Sequence, residues 1–388
     1  MKTEHVIHFC DARKMKGVYD GSVDLVVTSP PYPMIEMWDN IFSRIDPPIG
    51  IALKKNKGAQ AFELMHKLLD RVWKELGRVV RTGGFACINI GDAVRKIGDD
   101  FCLYPNHSRI MSAMRENGFM SLPAIIWRKQ TNAPNKFMGS GMLPAGAYVT
   151  LEHEYVLIFR KGGKREFMTP SKRAERQASA FFWEERNQWF SDVWFDLKGA
   201  RQALLDKDMR KRSGAYPFEL AYRLINMYSV KGDCVLDPFA GTGTTMLAAM
   251  VSARNSVSCE IGPEFAKIID SRVPGVMELA DTCICERIKR HRDFIAERVA
   301  AKKPIKYVNG PHGFPVVTRQ EVNLSINPVR RVEKIDKNRY AVEYGVVEKS
   351  EADAAPPVPH SDDKASKKGG LAKKGAAIPG SQLTLFGA

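Results

Sequence analysis

With 388 residues, 44% of them hydrophobic, the chain has room for one large domain with appendages and enough apolar mass for a packed core. Its net charge of +15 favours a polyanionic partner, because each phosphate neutralised by lysine or arginine releases condensed counterions. No run approaches the roughly eighteen apolar residues of a membrane span, and Met1-Lys2-Thr3-Glu4-His5 lacks a signal segment; seven scattered cysteines suit a reducing compartment. A cytoplasmic, nucleoid-associated protein with no membrane partner is expected. Cys283 and Cys285 form C-x-C without a second pair, so no metal site is expected.

Val6–Phe9 and Val23–Val27 predict strands. Residues 36–58, with Pro47-Pro48 and Lys54-Lys55-Asn56-Lys57, read as an irregular, mobile basic loop beside the site. Apolar residues at three- and four-residue spacing predict a helix over Ala61–Val80, stopped by Gly83-Gly84. A buried strand over Phe85–Asp92, a helix near 105–117 and strands at Ala124–Trp127 and Tyr155–Phe159 follow. From Lys161 to Arg212 periodicity weakens and basic residues interleave with Phe181, Phe182, Trp183, Trp189, Phe190 and Trp194. Helix and strand then alternate over Leu220–Met227, Val235–Leu236, Met246–Ser252 and Ser256–Cys259, before a charged helix near 280–301. A Val-rich segment runs to Val347, and an Ala/Pro/Lys/Gly tail is expected to be disordered. The alternation predicts an α/β fold, with a mostly parallel sheet carrying helices on both faces.

Two loops carry the chemistry. Thr28-Ser29-Pro30-Pro31-Tyr32 ends one predicted strand, and Asp237-Pro238-Phe239-Ala240-Gly241-Thr242-Gly243-Thr244-Thr245 ends another. Open α/β sheets bind ligands at such strand ends. Gly241 and Gly243 let the backbone turn tightly and approach a ligand, Thr242, Thr244 and Thr245 offer hydroxyls, and the following helix N-terminus favours a carboxylate or phosphate. Glu260, one strand later, is placed to grip ribose hydroxyls. No Gly-Lys-Ser/Thr follows, which excludes a Walker loop. On the other loop, the Ser29 hydroxyl and a carbonyl held by Pro30-Pro31 can accept the two N–H bonds of an exocyclic amine. Tyr32 can stack on a base rotated out of its duplex. The absence of a Pro-Cys pair disfavours attack by a cysteine nucleophile. Together the loops suggest amino-methyl transfer to a nucleobase.

These motifs, in this order, resemble the N4-cytosine/N6-adenine family of DNA amino-methyltransferases, in the permuted arrangement where the catalytic motif precedes the cofactor motif. The resemblance covers roughly residues 4 to 265 and implies a seven-stranded Rossmann-like sheet, S-adenosyl-L-methionine as cofactor and double-stranded DNA as substrate. Ser-Pro-Pro-Tyr usually accompanies N4-cytosine in this family, and Asp-Pro-Pro-Tyr accompanies N6-adenine. By the same resemblance Asp11 lies near the cofactor's adenine, and Tyr216 and Pro217 belong to an element that helps hold methionine. Thr28, Asp237, Pro238, Phe239, Gly241, Gly243, Thr244, Thr245 and Glu260 complete the expected cofactor set. Gly83-Gly84, Asn89–Asp92, Ile125–Lys129 and Glu152–Lys161 also stand in family order. Arg212 replaces a common histidine, and Pro33 after Tyr32 is a mild departure.

The segment 161–212 matches the family's target-recognition region, and its arginine and aromatic mixture suits phosphate contacts, base-edge readout and wedging into the stack, so Lys172, Arg173, Arg176, Arg186, Lys211 and Arg212 are expected on DNA. The expected organisation is a catalytic half over 1–160, this insert, a cofactor half over 213–302, a small extension over 303–350 and a tail over 351–388. Adenine-N6 methylation is the alternative activity, and an inert DNA-binding module on the same fold is the alternative of another class. A cognate restriction endonuclease is a possible partner. Gln382, Leu383, Leu385 and Phe386 resemble the short peptide that binds bacterial sliding clamps.

Overall fold

In the computed structural model, residues 1–129, 138–198 and 216–347 are described. The chain begins with β1 (Lys2–Phe9) and β2 (Val23–Thr28), then α1 (Asp39–Ile45), α2 (Pro47–Lys54) and α3 (Gly58–Val79). Next come β3 (Val80–Ile90), the hairpin β4 (Ala93–Ile97) and β5 (Asp100–Tyr104), α4 (Asn106–Glu116), β6 (Phe119–Ser121), β7 (Ile125–Arg128) and β8 (His153–Lys161). The second half holds α5 (Pro170–Ala178), α6 (Trp183–Trp189), β9 (Val193–Trp194), α7 (Phe218–Tyr228), β10 (Cys234–Asp237), α8 (Thr244–Val251) and β11 (Asn255–Glu260). It ends with α9 (Phe265–Arg272), α10 (Val276–Ala300), β12 (Val329–Asp336) and β13 (Arg339–Tyr344).

Among the described residues, eleven strands form the main sheet, in the order β9-β7-β8-β3-β2-β10-β11-β1-β13-β12, with β6 on β8. The five central strands, β3 to β1, are parallel, with Leu25 opposite Val235 and Val257 between Leu236 and Val6. The seven strands from β7 to β1 are the expected sheet, and four further strands extend it. Alternate residues feed two cores. Leu25, Val27 and Val235 face α7, α8 and α10, whereas Val26, Leu236 and Ile88 face α3 and α4. That two-sided burial is why these strands read as continuous apolar runs.

Several expectations are corrected. Residues 36–58 are not an irregular loop: Pro47 opens α2, where its missing N–H costs nothing, and Phe42, Ile49 and Ala52 are buried in the core around α3. Gly83 and Gly84 do not cap the helix, which ends at Val79. They lie in β3, where a Cβ would sit 3.0 Å from the Arg165 backbone and 2.9 Å from the Asp24 carbonyl oxygen. Part of segment 303–350 joins the sheet, because β13 pairs antiparallel with β1 and covers an otherwise open edge. Segment 161–198 is folded too, with Phe182, Trp189 and Trp194 at most 1% exposed and Glu185 of α6 clasped by Arg287 of α10 at 2.6 and 2.7 Å. Rings buried there cannot wedge into a base stack.

Candidate active site

At the carboxyl ends of the parallel strands lies a cavity of about 1140 Å³, lined at one end by Ser29–Tyr32, Lys129 and Glu154 and at the other by Asp11, Phe239, Gly241 and Glu260. Each loop starts where a buried strand stops: Thr28 closes β2, Asp237 closes β10 and Glu260 closes β11. The two sequence motifs, 209 residues apart, are tied directly, since Thr28 Oγ1 donates to Asp237 Oδ1 at 2.7 Å.

Asp237 is buried and held by neutral donors. Besides Thr28, its carboxylate accepts from Thr245 Oγ1 at 2.7 Å, Tyr216 Oη at 3.3 Å and the Phe239 amide at 3.0 Å. Burial pushes its pKa above the usual carboxylate value, against the pull of these bonds. Glu260 accepts the Gly241 amide at 2.8 Å and the Gly262 amide at 2.9 Å, and burial raises its pKa as well. Gly241 takes φ +50°, and a Cβ there would meet only the Phe239 carbonyl oxygen, 4.0 Å away. The space in front of this loop is therefore open for a ligand. Gly243, at φ +77°, has a different duty, as its Cβ would press on Ile269 at 3.2 Å.

The threonine hydroxyls serve the loop more than the cavity. Thr245 is buried against Asp237 and Tyr216, and Arg272 of α9 holds the Thr242 carbonyl oxygen at 2.6 Å and the Thr242 and Thr244 hydroxyls at 2.9 and 3.3 Å. Pro217 is the N-cap of α7, setting Tyr216 beside Asp237. Asp11 N-caps the turn after β1 and is paired with Arg13, whose guanidinium holds the carboxyl below its usual range.

At the other end, Ser29 Oγ donates to Tyr32 Oη at 3.1 Å, and Tyr32 Oη donates to Glu154 Oε2 at 2.9 Å. Asn89 Nδ2 donates to both Tyr32 Oη (2.8 Å) and Glu154 Oε2 (2.7 Å), and Lys129 pairs with the other Glu154 oxygen. Burial, reinforced by the Glu154 carboxylate, pushes the Tyr32 phenol well up, so it stays an O–H donor. Gly91 packs on the ring, where a Cβ would be 3.1 Å from Tyr32 Cε2. Asn89, Lys129, Glu154 and Arg272 were not singled out from the sequence. The available signals were the polar Asn89 inside the apolar run 86–90 and the family order of the stretches that hold Asn89, Lys129 and Glu154.

Not every expected residue reaches the cavity. Lys172 shares a separate small cavity with Met1, Lys231 and Asp233, at the amino ends of the strands. Arg173 and Arg176 lie on the same exposed helix, α5, and Arg186 rests over Phe190, whose ring packs on Tyr228 just before β10. None of these four lines the cavity between the catalytic and cofactor loops. Lys211, Arg212 and the tail peptide at Gln382, Leu383, Leu385 and Phe386 lie outside the described residues. Among the described residues, no helix is long and apolar enough to cross a membrane.

Residues 23–271 match the N6/N4 methyltransferase family model, described as DNA methylase. The chain is 51% identical over 345 residues to the Type II methyltransferase M.MthZI of Methanothermobacter thermautotrophicus, covering 89% of this chain and 96% of that protein. It is 48% identical over 282 residues to the Type II methyltransferase M.MjaI of Methanocaldococcus jannaschii, covering 70% and 91%. Among solved structures, a protein of Thermus thermophilus described as a DNA modification methylase, complexed with S-adenosyl-L-methionine, aligns with a TM-score of 0.54 and 32% identity. The alignment covers 69% of this chain and 92% of that one.

Proposed function

This chain belongs to the N6/N4 DNA methylase family, and from that premise we propose that it methylates the exocyclic N4 amine of cytosine in duplex DNA, as the modification partner of a restriction endonuclease. The protein is an S-adenosylmethionine-dependent DNA methyltransferase. When bound, the cofactor supplies a methyl group on a sulfonium sulfur, so transfer to the amine needs no covalent enzyme intermediate.

The residues present fit such a cofactor. Gly241 leaves open space, Asp237 offers a buried carboxylate whose donors are all uncharged, and the Glu260 oxygens, engaged by backbone amides, retain lone pairs for ribose hydroxyls. Asp11 stands at the same end of the cavity.

The observation that carries the acceptor reading is the chain Ser29–Tyr32–Glu154. With its proton directed to Tyr32, and Tyr32's directed to Glu154, Ser29 presents lone pairs to a substrate N–H, polarised by the bonds behind it. The diproline sets a carbonyl for the second N–H. Hydrogen bonds from both N–H groups to these acceptors localise the amine lone pair, and the pocket aims it at the methyl group, one N–H proton leaving as the N–C bond forms. Serine at the head of the motif supports cytosine-N4 over adenine-N6, following the family tendency. Mass spectrometry of nucleosides from plasmid DNA methylated by the purified protein tests the reading. N4-methylcytosine is the expected product, N6-methyladenine would reassign the base, and neither product would end the proposal.

A further inference from the structure

Between β7 and β8, beside the catalytic wall, the chain makes an excursion that contains a small hairpin. Lys129 N donates to the Glu152 carbonyl oxygen at 2.7 Å, closing the base of this excursion, and Lys129 and Glu154 beside that closure form the ion pair behind Tyr32. Within the excursion Met138 pairs with Tyr148 and Gly139 with Ala147. Ser140 N donates to the Gly146 carbonyl oxygen at 2.9 Å, and Ser140 Oγ donates to that of Leu143 at 2.5 Å. Gly139 takes φ +70°, and a Cβ there would lie 2.0 Å from the Gly146 oxygen, so the turn admits only glycine. Tyr148 stacks on Phe101 of β5 with centroids 5.1 Å apart. The tip is thus held in one shape, yet its apolar side chains, Met142 and Leu143, are 85% and 70% exposed.

We propose that this hairpin is the element that enters the DNA, with Met142 and Leu143 filling the stack where the target base has left it. The inference rests on the DNA-methyltransferase reading above. A base must leave its stack to reach a pocket this deep, and the gap is unfavourable unless an apolar group fills it. The excursion leaves and rejoins the sheet at Lys129 and Glu152, beside the Lys129–Glu154 pair that lines the cavity receiving the base, which favours DNA over a second copy of the chain as its occupant. Arg128 and Lys129 stand at its base, 53% and 39% exposed along their side chains; each is paired with a glutamate, and the chain's excess of positive charge suits the phosphates around the gap.

The test uses the full-length protein on two short duplexes containing the site located by sequencing methylated plasmid, one matched and one with the target base mispaired. Met142→Ser/Leu143→Ser should lower kcat/KM on the matched duplex by about 10- to 100-fold. On the mispaired duplex, where extrusion is already easy, it should stay within about threefold of the parent, with cofactor affinity by calorimetry and thermal melting unchanged. Equal losses on both duplexes, or no loss on the matched one, would overturn the inference. So would unchanged methylation together with altered sedimentation, which would mark a contact between copies. A parent protein inactive on both duplexes would instead overturn the function from which the inference starts.

Discussion

The two ends of the same five parallel strands treat buried carboxylates in opposite ways. At the amino ends Asp233 is gripped by Arg165 at 2.6 and 2.9 Å, and Asp24 lies between Arg81 at 2.8 Å and Arg165 at 3.5 Å. Lys231 nearby donates to Ser325 and Asn327. At the carboxyl ends Asp237 and Glu260 are as buried, but their partners are hydroxyls and backbone amides. A carboxylate matched by a guanidinium is closed electrostatically and holds elements together. One held by neutral donors keeps its charge for a ligand. Lys172 sits on the closed end, in the small cavity it shares with Lys231 and Asp233.

Breaking the closed end should cost stability and leave the chemistry alone. Asp233→Ala leaves Arg165 with only its longer contact to Asp24, and urea unfolding should show a loss of about 3 kcal/mol with cofactor affinity unchanged. Breaking the open end should do the reverse. Ser29→Ala should lower kcat by about 100-fold, with melting temperature and cofactor affinity within error of the parent. Gly241→Val fills the open face of the cofactor loop at a positive φ, so calorimetry should show at least about tenfold weaker S-adenosylmethionine binding.

The buried histidines lie outside both ends and sharpen the comparison through pH. Burial lowers His5 and His66 from 6.5 to about 3. As pH falls below 6.5 the unfolded chain takes up these protons and the folded chain does not. The stability they leave intact above pH 6.5 is therefore lost progressively toward pH 3, by up to about 1.4 kcal/mol per pH unit for each histidine. Acid unfolding of His66→Gln should show a shallower slope than the parent. The smallest effect is expected from Lys172→Ala/Arg173→Ala, which should leave the salt dependence of DNA binding unchanged. A slope flattened by about one unit per lost contact would place DNA on the amino edge and break the comparison.

Much of the site was legible locally. A diproline and a glycine- and hydroxyl-rich turn after an apolar run need no distant partner to declare themselves, so Ser29–Tyr32, Gly241 and Glu260 stand out in the sequence, and the structure lines one cavity with them. The helices over residues 39–54 were not legible, because their apolar residues are too few for a clear period until α3 covers them. The aromatic residues of segment 161–198 read as a DNA surface because no local signal distinguishes a ring kept for a base from one kept for the core.

The sequence by itself determined the strand-loop punctuation and the chemical type of each loop, since backbone conformation and side-chain chemistry act within a few residues. Only the tertiary structure decided which groups stand behind them. Tyr32 meets Asn89 and Glu154 because β3 and β8 pair antiparallel in the register Asn89–Val156, and Thr242 meets Arg272 because α9 returns across the loop. Phe182 and Trp189 are core rather than surface because the Arg287 guanidinium from α10 lies over both rings. Such contacts depend on register and on the turn of a distant helix, quantities that no local pattern of residues encodes.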